Sequence, residues 1–106
     1  MFARIRKTYF INSVSKMRTP IFTKKFQKEL KKCKSRGLNT SEIGDIMAKL
    51  IEDEPLEARN KNHPLSGDFA GCYECHIRPD WLLVYMLDNE ANTVIFLRTG
   101  THSDLF

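Results

Sequence analysis

The last third of the chain constrains its fold more than any other segment. Residues 73–78 alternate between apolar and polar side chains, which is the pattern of a strand with one buried face. After a turn at Pro79-Asp80, an apolar run covers 81–87, and a short polar loop separates it from another strand predicted at 93–99. Three successive strands joined by short turns predict an antiparallel sheet.

A pair of helices is predicted upstream of these strands. Thr23 can cap a helix that runs to about Arg36 and stops at Gly37; its apolar positions lie on one face and are Phe26, Leu30 and Cys33. Asn39 opens a second helix to about Asp53, whose inward positions are Ile43, Met47, Leu50 and Ile51. The connection between the helices is so short that it predicts an antiparallel pair.

The order of these elements indicates the fold class. A short strand within 17–22 precedes the helices, so the order is strand, helix, helix and then three strands. This order predicts an α+β two-layer sandwich, in which a small, mostly antiparallel twisted sheet carries the helical hairpin on one face. We expect the opposite face, with Glu74, His76 and Arg78, to be open to a ligand.

Length and composition indicate a single globular domain. The chain has 106 residues, of which 42% are hydrophobic, and no apolar run approaches the roughly 18 residues of a membrane span. Three cysteines without a recognisable secretory signal indicate a cytoplasmic protein that lacks disulfides. We expect residues 17–106 to form the domain and residues 1–16 to be an N-terminal extension, with Met17 as the natural start.

Charge is distributed unevenly along the chain. Residues 1–36 carry 12 Lys and Arg against one acid, Glu29, whereas residues 37–106 carry 5 against 12 acids. A basic front half predicts a polyanionic partner such as RNA, DNA or an acidic protein segment, and a solvated lysine-rich face is the alternative. The candidate RNA-binding side chains on the first helix are Lys24, Lys25, Lys28, Lys31 and Lys32.

The segment from Cys72 to His76 matches the C-x-x-C-H pattern of covalent haem attachment and resembles half of a zinc site. On a strand, however, positions three apart point to opposite faces, so Cys72 and Cys75 would diverge. A second ligand pair is also missing at the usual spacing. We therefore predict neither a metal nor a cofactor.

Another set of polar residues fits acid–base chemistry. Cleaving RNA without a metal needs a base for the 2′-hydroxyl, an acid for the leaving 5′-oxygen and a cation for the developing phosphorane charge. Histidine titrates near neutral pH and arginine binds phosphate bidentately. All three histidines, His63, His76 and His102, lie in the last part of the chain together with Arg98. Trp81 is expected to be partly core, with a face on which a base could stack.

Three segments together resemble the YafQ branch of the RelE/ParE toxin superfamily: His63–Gly67, Glu74–Trp81 and Arg98–Phe106. Their order and spacing match over about residues 17–106. The resemblance implies a RelE-like fold and the toxin of a bacterial type II toxin–antitoxin pair, an endoribonuclease that cuts mRNA in the ribosomal decoding site. It also implies a small acidic antitoxin as partner, encoded next to the toxin.

The same resemblance implies roles for individual residues. His102 looks like the principal catalytic histidine and general acid, and Asp80 and His63 resemble the residues in base and phosphate roles. Arg98 resembles the arginine that steadies the scissile phosphate, and Phe106 the terminal aromatic that helps place the mRNA.

Further positions match less directly. Glu74 and His76 correspond to the acid-x-His pair of the central strand, and Trp81 to the Trp that follows the catalytic Asp. Residues 1–16 lie outside the family pattern, and Cys72 stands where an aromatic is expected.

Other functions are open to a chain with this fold. The leading hypothesis is a ribosome-dependent mRNA endonuclease. A ParE-like toxin that binds DNA gyrase without cutting RNA is the alternative, although such relatives lack the histidine set. A purely regulatory binding module is the third. New 5′-hydroxyl mRNA ends would indicate the first, DNA breaks the second, and neither product the third.

Overall fold

A mixed sheet forms the centre of the molecule in the computed structural model, which describes residues 17–106. Its strands are β1 (Thr19–Phe22), β2 (His63–Pro64), β3 (Tyr73–Arg78), β4 (Trp81–Asp88) and β5 (Thr93–Gly100). They lie in the order β1-β5-β4-β3-β2. The pairs β2–β3, β3–β4 and β4–β5 are antiparallel, and only β1 runs parallel to its neighbour β5. The predicted extension at 1–16 lies outside the described residues.

The described part also has two long α-helices and one short α-helix, α1 (Lys24–Ser35), α2 (Thr40–Ile51) and α3 (His102–Leu105). Two single-turn 3-10 helices lie at Ala58–Asn60 and Gly67–Phe69. The Thr23 hydroxyl caps α1 by accepting a hydrogen bond from the Phe26 amide at 3.0 Å. Gly37 has φ +91° and ends the α1 turn in the left-handed region. The Asn39 side chain caps α2 through the Ser41 amide at 2.9 Å. None of the helices within 17–106 is long and apolar enough to cross a membrane.

The main core lies between the helices and one face of the sheet. Its large buried side chains come from α1, β4 and β5 and include Phe26, Trp81, Tyr85 and Phe96. A smaller apolar cluster on the opposite face contains Cys72, Leu82, Val84 and Leu105. Cys75 lies in the main core, so Cys72 and Cys75 diverge as predicted.

The burial of Trp81 contradicts the prediction that a base could stack on its ring. Its side chain is only 1% exposed, and its indole N–H donates to the Thr99 hydroxyl at 2.9 Å. A ring enclosed in the core has no free face, so Trp81 is not an RNA-stacking residue. The apolar run around Trp81 predicted a strand, but a strand pattern does not distinguish a fully buried side chain from one with an exposed face.

Three further features differ from the sequence predictions. The sequence patterns predicted neither the two-residue strand β2 nor the short helix α3 that follows Gly100. Both elements are too short for a periodic pattern to reveal. A register shift between His76 and Arg78 turns the Arg78 side chain to α2, where it donates to Glu42 at 2.7 and 2.6 Å. Arg78 therefore does not share the open face with Glu74 and His76.

Candidate active site

Two histidines converge on one buried carboxylate at the β2 edge of the sheet. The β2–β3 pairing places His63 opposite Glu74, and His76 follows two positions along β3 on the same face. His63 Nε2 lies 3.2 Å and His76 Nε2 lies 3.7 Å from the same Glu74 oxygen, Oε1. Glu74 is only 6% exposed, so its carboxylate depends on these imidazoles to offset its loss of water.

The other ring nitrogens of these histidines also face acceptors. His63 Nδ1 lies 3.1 Å from the Pro64 carbonyl oxygen, and His76 Nδ1 lies 3.2 Å from the Pro79 carbonyl oxygen. A ring whose two nitrogens both face oxygen can donate to both only when it is doubly protonated. The arrangement therefore holds the two imidazoles in fixed orientations.

A second pair lies across the groove, where α3 begins. The His102 amide donates to Asp80 Oδ1 at 3.0 Å, and His102 Nδ1 lies 2.6 Å from the same oxygen. The backbone hydrogen bond and then the ring hydrogen bond from His102 hold the pKa of Asp80 below its ordinary value. An ionised Asp80 accepts from Nδ1–H, which leaves the Nε2 atom of the exposed His102 ring available to a ligand.

The His63–Glu74–His76 group and the Asp80–His102 pair are adjacent, with His76 next to His102. Their ring centroids are 5.8 Å apart. Five side chains predicted from separate segments thus form one continuous row on the face away from the long helices: His63, Glu74, His76, His102 and Asp80. Such a row can supply a proton acceptor at one end and a proton donor at the other.

Comparison with known proteins identifies a family for this chain. Residues 18–106 match the family model described as "Bacterial toxin of type II toxin-antitoxin system, YafQ". The chain belongs to the YafQ family. Its relatives include the mRNA interferase toxin YafQ of Escherichia coli strain K12, 35% identical over 86 residues that make up 80% of this chain and 91% of that protein.

Solved YafQ-like structures have the same fold. A metal-bound toxin from Helicobacter pylori is 38% identical and has a TM-score of 0.81. The match covers 85% of this chain and 100% of that one. YafQ in the E. coli DinJ–YafQ toxin–antitoxin complex is 34% identical with a TM-score of 0.78, over 85% of this chain and 98% of that one. The family resemblance and the α+β fold class are confirmed.

Arg98 of this YafQ-family chain is held by a residue that the sequence reading did not select. Its Nε and Nη2 atoms donate to the Glu29 carboxylate at 2.9 and 2.7 Å, and this ion pair raises the Arg98 pKa. Glu29 also accepts from the Thr99 amide at 3.2 Å. The signal was present in the sequence, since Glu29 is the single acid among residues 1–36.

Phe106 lies at the opposite end of α3 from His102. It is 58% exposed, and its ring meets that of Phe69 edge-on with centroids 5.3 Å apart. Positions four apart on a helix share a face, so Phe106 lies on the same side of α3 as His102. Phe69 was not selected from the sequence because it lies in a turn without periodicity.

The basic surface of the YafQ-family chain lies on α1, away from the core. Phe26 and Cys33 face inward, and the predicted RNA-binding side chains are all exposed: Lys24, Lys25, Lys28, Lys31 and Lys32. The helix thus presents a row of positive charge on the outside of the molecule.

Within residues 17–106, one group has the donor types and spacing of a transition-metal site. His63, Glu74 and His76 each offer a ligand atom, and these atoms lie within 4.8 Å of one another. Two imidazoles and a carboxylate suit zinc or copper, which act as Lewis acids when bound. A metal bound there would occupy the lone pairs that these three side chains would need for proton transfer.

Proposed function

We propose that this YafQ-family toxin is an endoribonuclease that cuts mRNA on the ribosome by metal-free acid–base catalysis. The observation that carries the proposal is the continuous row of imidazoles and carboxylates from His63 to Asp80. The relative from E. coli strain K12 is named an mRNA interferase.

The reaction begins with attack of the 2′-hydroxyl oxygen on the adjacent phosphorus. The proton of this hydroxyl passes to the His63–Glu74–His76 group, whose buried carboxylate stabilises the imidazolium that forms. The bond from phosphorus to the 5′-oxygen breaks, and that oxygen takes a proton from His102 Nε2. The products are a 2′,3′-cyclic phosphate and a 5′-hydroxyl end.

Asp80 orients the acid. Its hydrogen bonds to the amide and ring of His102 fix the tautomer that leaves Nε2 directed outward, and its negative charge stabilises the protonated ring before transfer. Arg98 would stabilise the phosphorane only by exchanging Glu29 for the phosphate, because its Nε and Nη2 donors are engaged.

Recognition of the ribosome is assigned to α1. Its exposed lysines contact ribosomal RNA phosphates, in a manner that depends on salt and not on sequence. The same charge attracts an acidic segment of the antitoxin, which folds on binding. The E. coli relative is found in complex with DinJ. Translation places this activity in the cytoplasm.

The test is a His102→Ala variant assayed on programmed ribosomes. Its loss of the general acid should lower the cleavage rate by roughly 10²- to 10⁴-fold, with an unchanged circular dichroism spectrum because His102 is exposed. Ser103→Ala, at the neighbouring exposed position, is the control and should keep full activity. Mapping of 5′-hydroxyl ends identifies the cut. A fully active His102→Ala variant, or DNA breaks with intact mRNA, would contradict the proposal.

A further inference from the structure

The side of α3 opposite His102 is attached to α1 by an ion pair. Asp104 follows His102 by two positions, which is about 200° around a helix, so the two side chains point in opposite directions. Arg36, the residue that follows α1, donates from Nη1 to Asp104 Oδ2 at 2.6 Å and from Nη2 to Oδ1 at 3.2 Å. This bidentate contact joins residues 68 positions apart in the sequence.

Asp104 also closes the N-terminal cap of the same turn. Its Oδ2 accepts from the Thr101 amide at 2.9 Å, and its own amide donates to the Thr101 hydroxyl at 3.1 Å. Gly100 leaves room for this side chain, since a Cβ there would lie 2.9 Å from the Asp104 Cβ. The carboxylate that binds Arg36 therefore also sets the backbone from which His102 projects.

Two further cations of the same region approach this residue. Lys32 Nζ lies 4.0 Å from Asp104 Oδ1. Arg98 Nη2 donates to the Asp104 carbonyl oxygen at 3.4 Å and also to the Glu29 carboxylate. The Arg36 hydrogen bond and the Thr101 amide hold the pKa of Asp104 well below its ordinary range. Asp104 is therefore ionised at neutral pH.

A four-residue helix has too few internal hydrogen bonds to hold its own orientation. Its direction is decided by what it touches. Leu105 packs in the small apolar cluster, and Asp80 accepts a hydrogen bond from the first residue of α3, His102. Arg36 binds Asp104 on the opposite side of α3. We expect that removal of the Arg36 contact would let the turn rotate about Leu105 and carry the His102 ring away from its 2.6 Å contact with Asp80.

We propose that Arg36 and Asp104 are positioning residues, which hold the terminal turn against α1 so that the His102 ring stays in register with Asp80 and His76. This role rests on the proposed function, in which His102 is the acid. Neither residue touches the substrate. A misplacement of about 1 Å in a proton donor can lower a rate by roughly 100-fold, so the ion pair acts on the chemical step and not on binding.

The experiment compares Arg36→Gln and Asp104→Asn with the parent toxin. Asn at 104 keeps an acceptor for the Thr101 amide and removes only the charge that Arg36 binds. Steady-state cleavage of mRNA on programmed ribosomes gives kcat and KM separately. We expect kcat to fall roughly 10- to 100-fold in both variants while KM changes less than about threefold. Arg36→Lys should recover part of kcat, and the double variant should be no worse than either single one.

Arg59→Gln makes the same substitution at another ion-paired surface arginine, outside α1, and it should leave kcat unchanged. NMR of the His102 imidazole nitrogens provides a readout without RNA: the Nδ1 signal that reports the Asp80 contact should shift in Arg36→Gln and not in Arg59→Gln. Equal kcat in these two variants, or an unchanged His102 signal in Arg36→Gln, would overturn the positioning role. A parent toxin that leaves mRNA uncut would refute the proposed function instead, and the NMR comparison would still decide the positioning.

Discussion

Glu74 shows how one buried carboxylate can orient two imidazoles. A carboxylate that is 6% exposed is costly unless its charge is matched, and His63 and His76 both direct Nε2 at its Oε1 atom. The same oxygen thereby orients two imidazoles whose Cα atoms lie on different strands. Rings held in this way need little reorganisation when a proton moves.

The His63–Glu74–His76 group should respond to added metal. Micromolar Zn²⁺ or Cu²⁺ is expected to inhibit cleavage, because coordination removes the lone pairs and protons that the reaction uses. Inhibition should reverse with EDTA, and the parent toxin should keep its activity in EDTA throughout. Titration calorimetry with His63→Ala should show weaker metal binding. Loss of activity on chelation would refute the metal-free mechanism.

Trp81→Phe separates packing from recognition. The change removes the indole N–H that donates to Thr99 at 2.9 Å inside the core. We expect the free energy of unfolding in urea to fall by about 1–2 kcal/mol, since a buried hydrogen bond is lost and its acceptor is left unpaired. Cleavage at temperatures where the variant is folded should match the parent. A loss of RNA affinity without a loss of stability would restore the stacking role.

The twelve-residue helix α1 contributes to the core, to the basic surface and to the contacts with the last strand and the terminal turn. Its inward face packs Phe26 and Cys33 into the core, and its outward face carries the lysines. Its Glu29 and the adjoining Arg36 bind the last strand and the terminal turn. A partner on the lysine face therefore lies one helix thickness from the contacts that hold His102.

The lysine face predicts a salt-dependent interaction. Changing Lys24, Lys25 and Lys28 together to Gln should lower the slope of log affinity against log salt by about 2, at roughly 0.7 per lost phosphate contact. Binding is measured on ribosomes with the His102→Ala background, so that mRNA stays intact. Changing Arg59 and Lys61 to Gln removes charge from another surface and is the control. Equal slopes in the two sets would contradict assignment of the ribosome contact to α1.

Across the whole molecule, ion-paired and hydrogen-bonded carboxylates determine how the free energy of unfolding changes with pH. Hydrogen bonds from Arg78 lower the pKa of Glu42, and those from His102 and Arg36 lower the pKa values of Asp80 and Asp104. A carboxyl with a lowered pKa stabilises the fold above its unfolded-state pKa and loses that contribution as pH falls through its folded-state pKa. These three contacts thus stabilise the protein most at neutral pH.

Stability in urea should be nearly constant from pH 7 to about 5 and fall below about pH 4, where unfolded carboxyl groups take up protons. Asp104→Asn should be less stable than the parent at pH 7, and the difference should shrink as the pH approaches 2. Glu54→Gln, at an exposed position, should follow the parent curve. A difference for Asp104→Asn that grows on acidification would show that the sign is wrong.

Local sequence was sufficient to predict the long elements. Thr23, Gly37 and the apolar spacing marked α1, and alternation marked β3, because caps, turns and periodicity depend on neighbouring residues. Motif spacing selected these side chains for a related reason: His63, Glu74 and His76 belong to short segments whose order and spacing resemble the family, and residues 18–106 match its model. The two-residue β2 and four-residue α3 are too short to produce a pattern of their own.

The sequence by itself therefore determined which segments form helices and strands, which family the chain belongs to and which residues are candidates for the site. Only the tertiary structure decided that β1 runs parallel to β5, that Trp81 is enclosed, and that Glu29 and Arg36 hold the last strand and turn. These ion pairs join positions 68 and 69 residues apart, among 17 basic and 13 acidic side chains. Charge alone cannot select the partners in such a set, because the choice depends on which surfaces the packed core brings into contact.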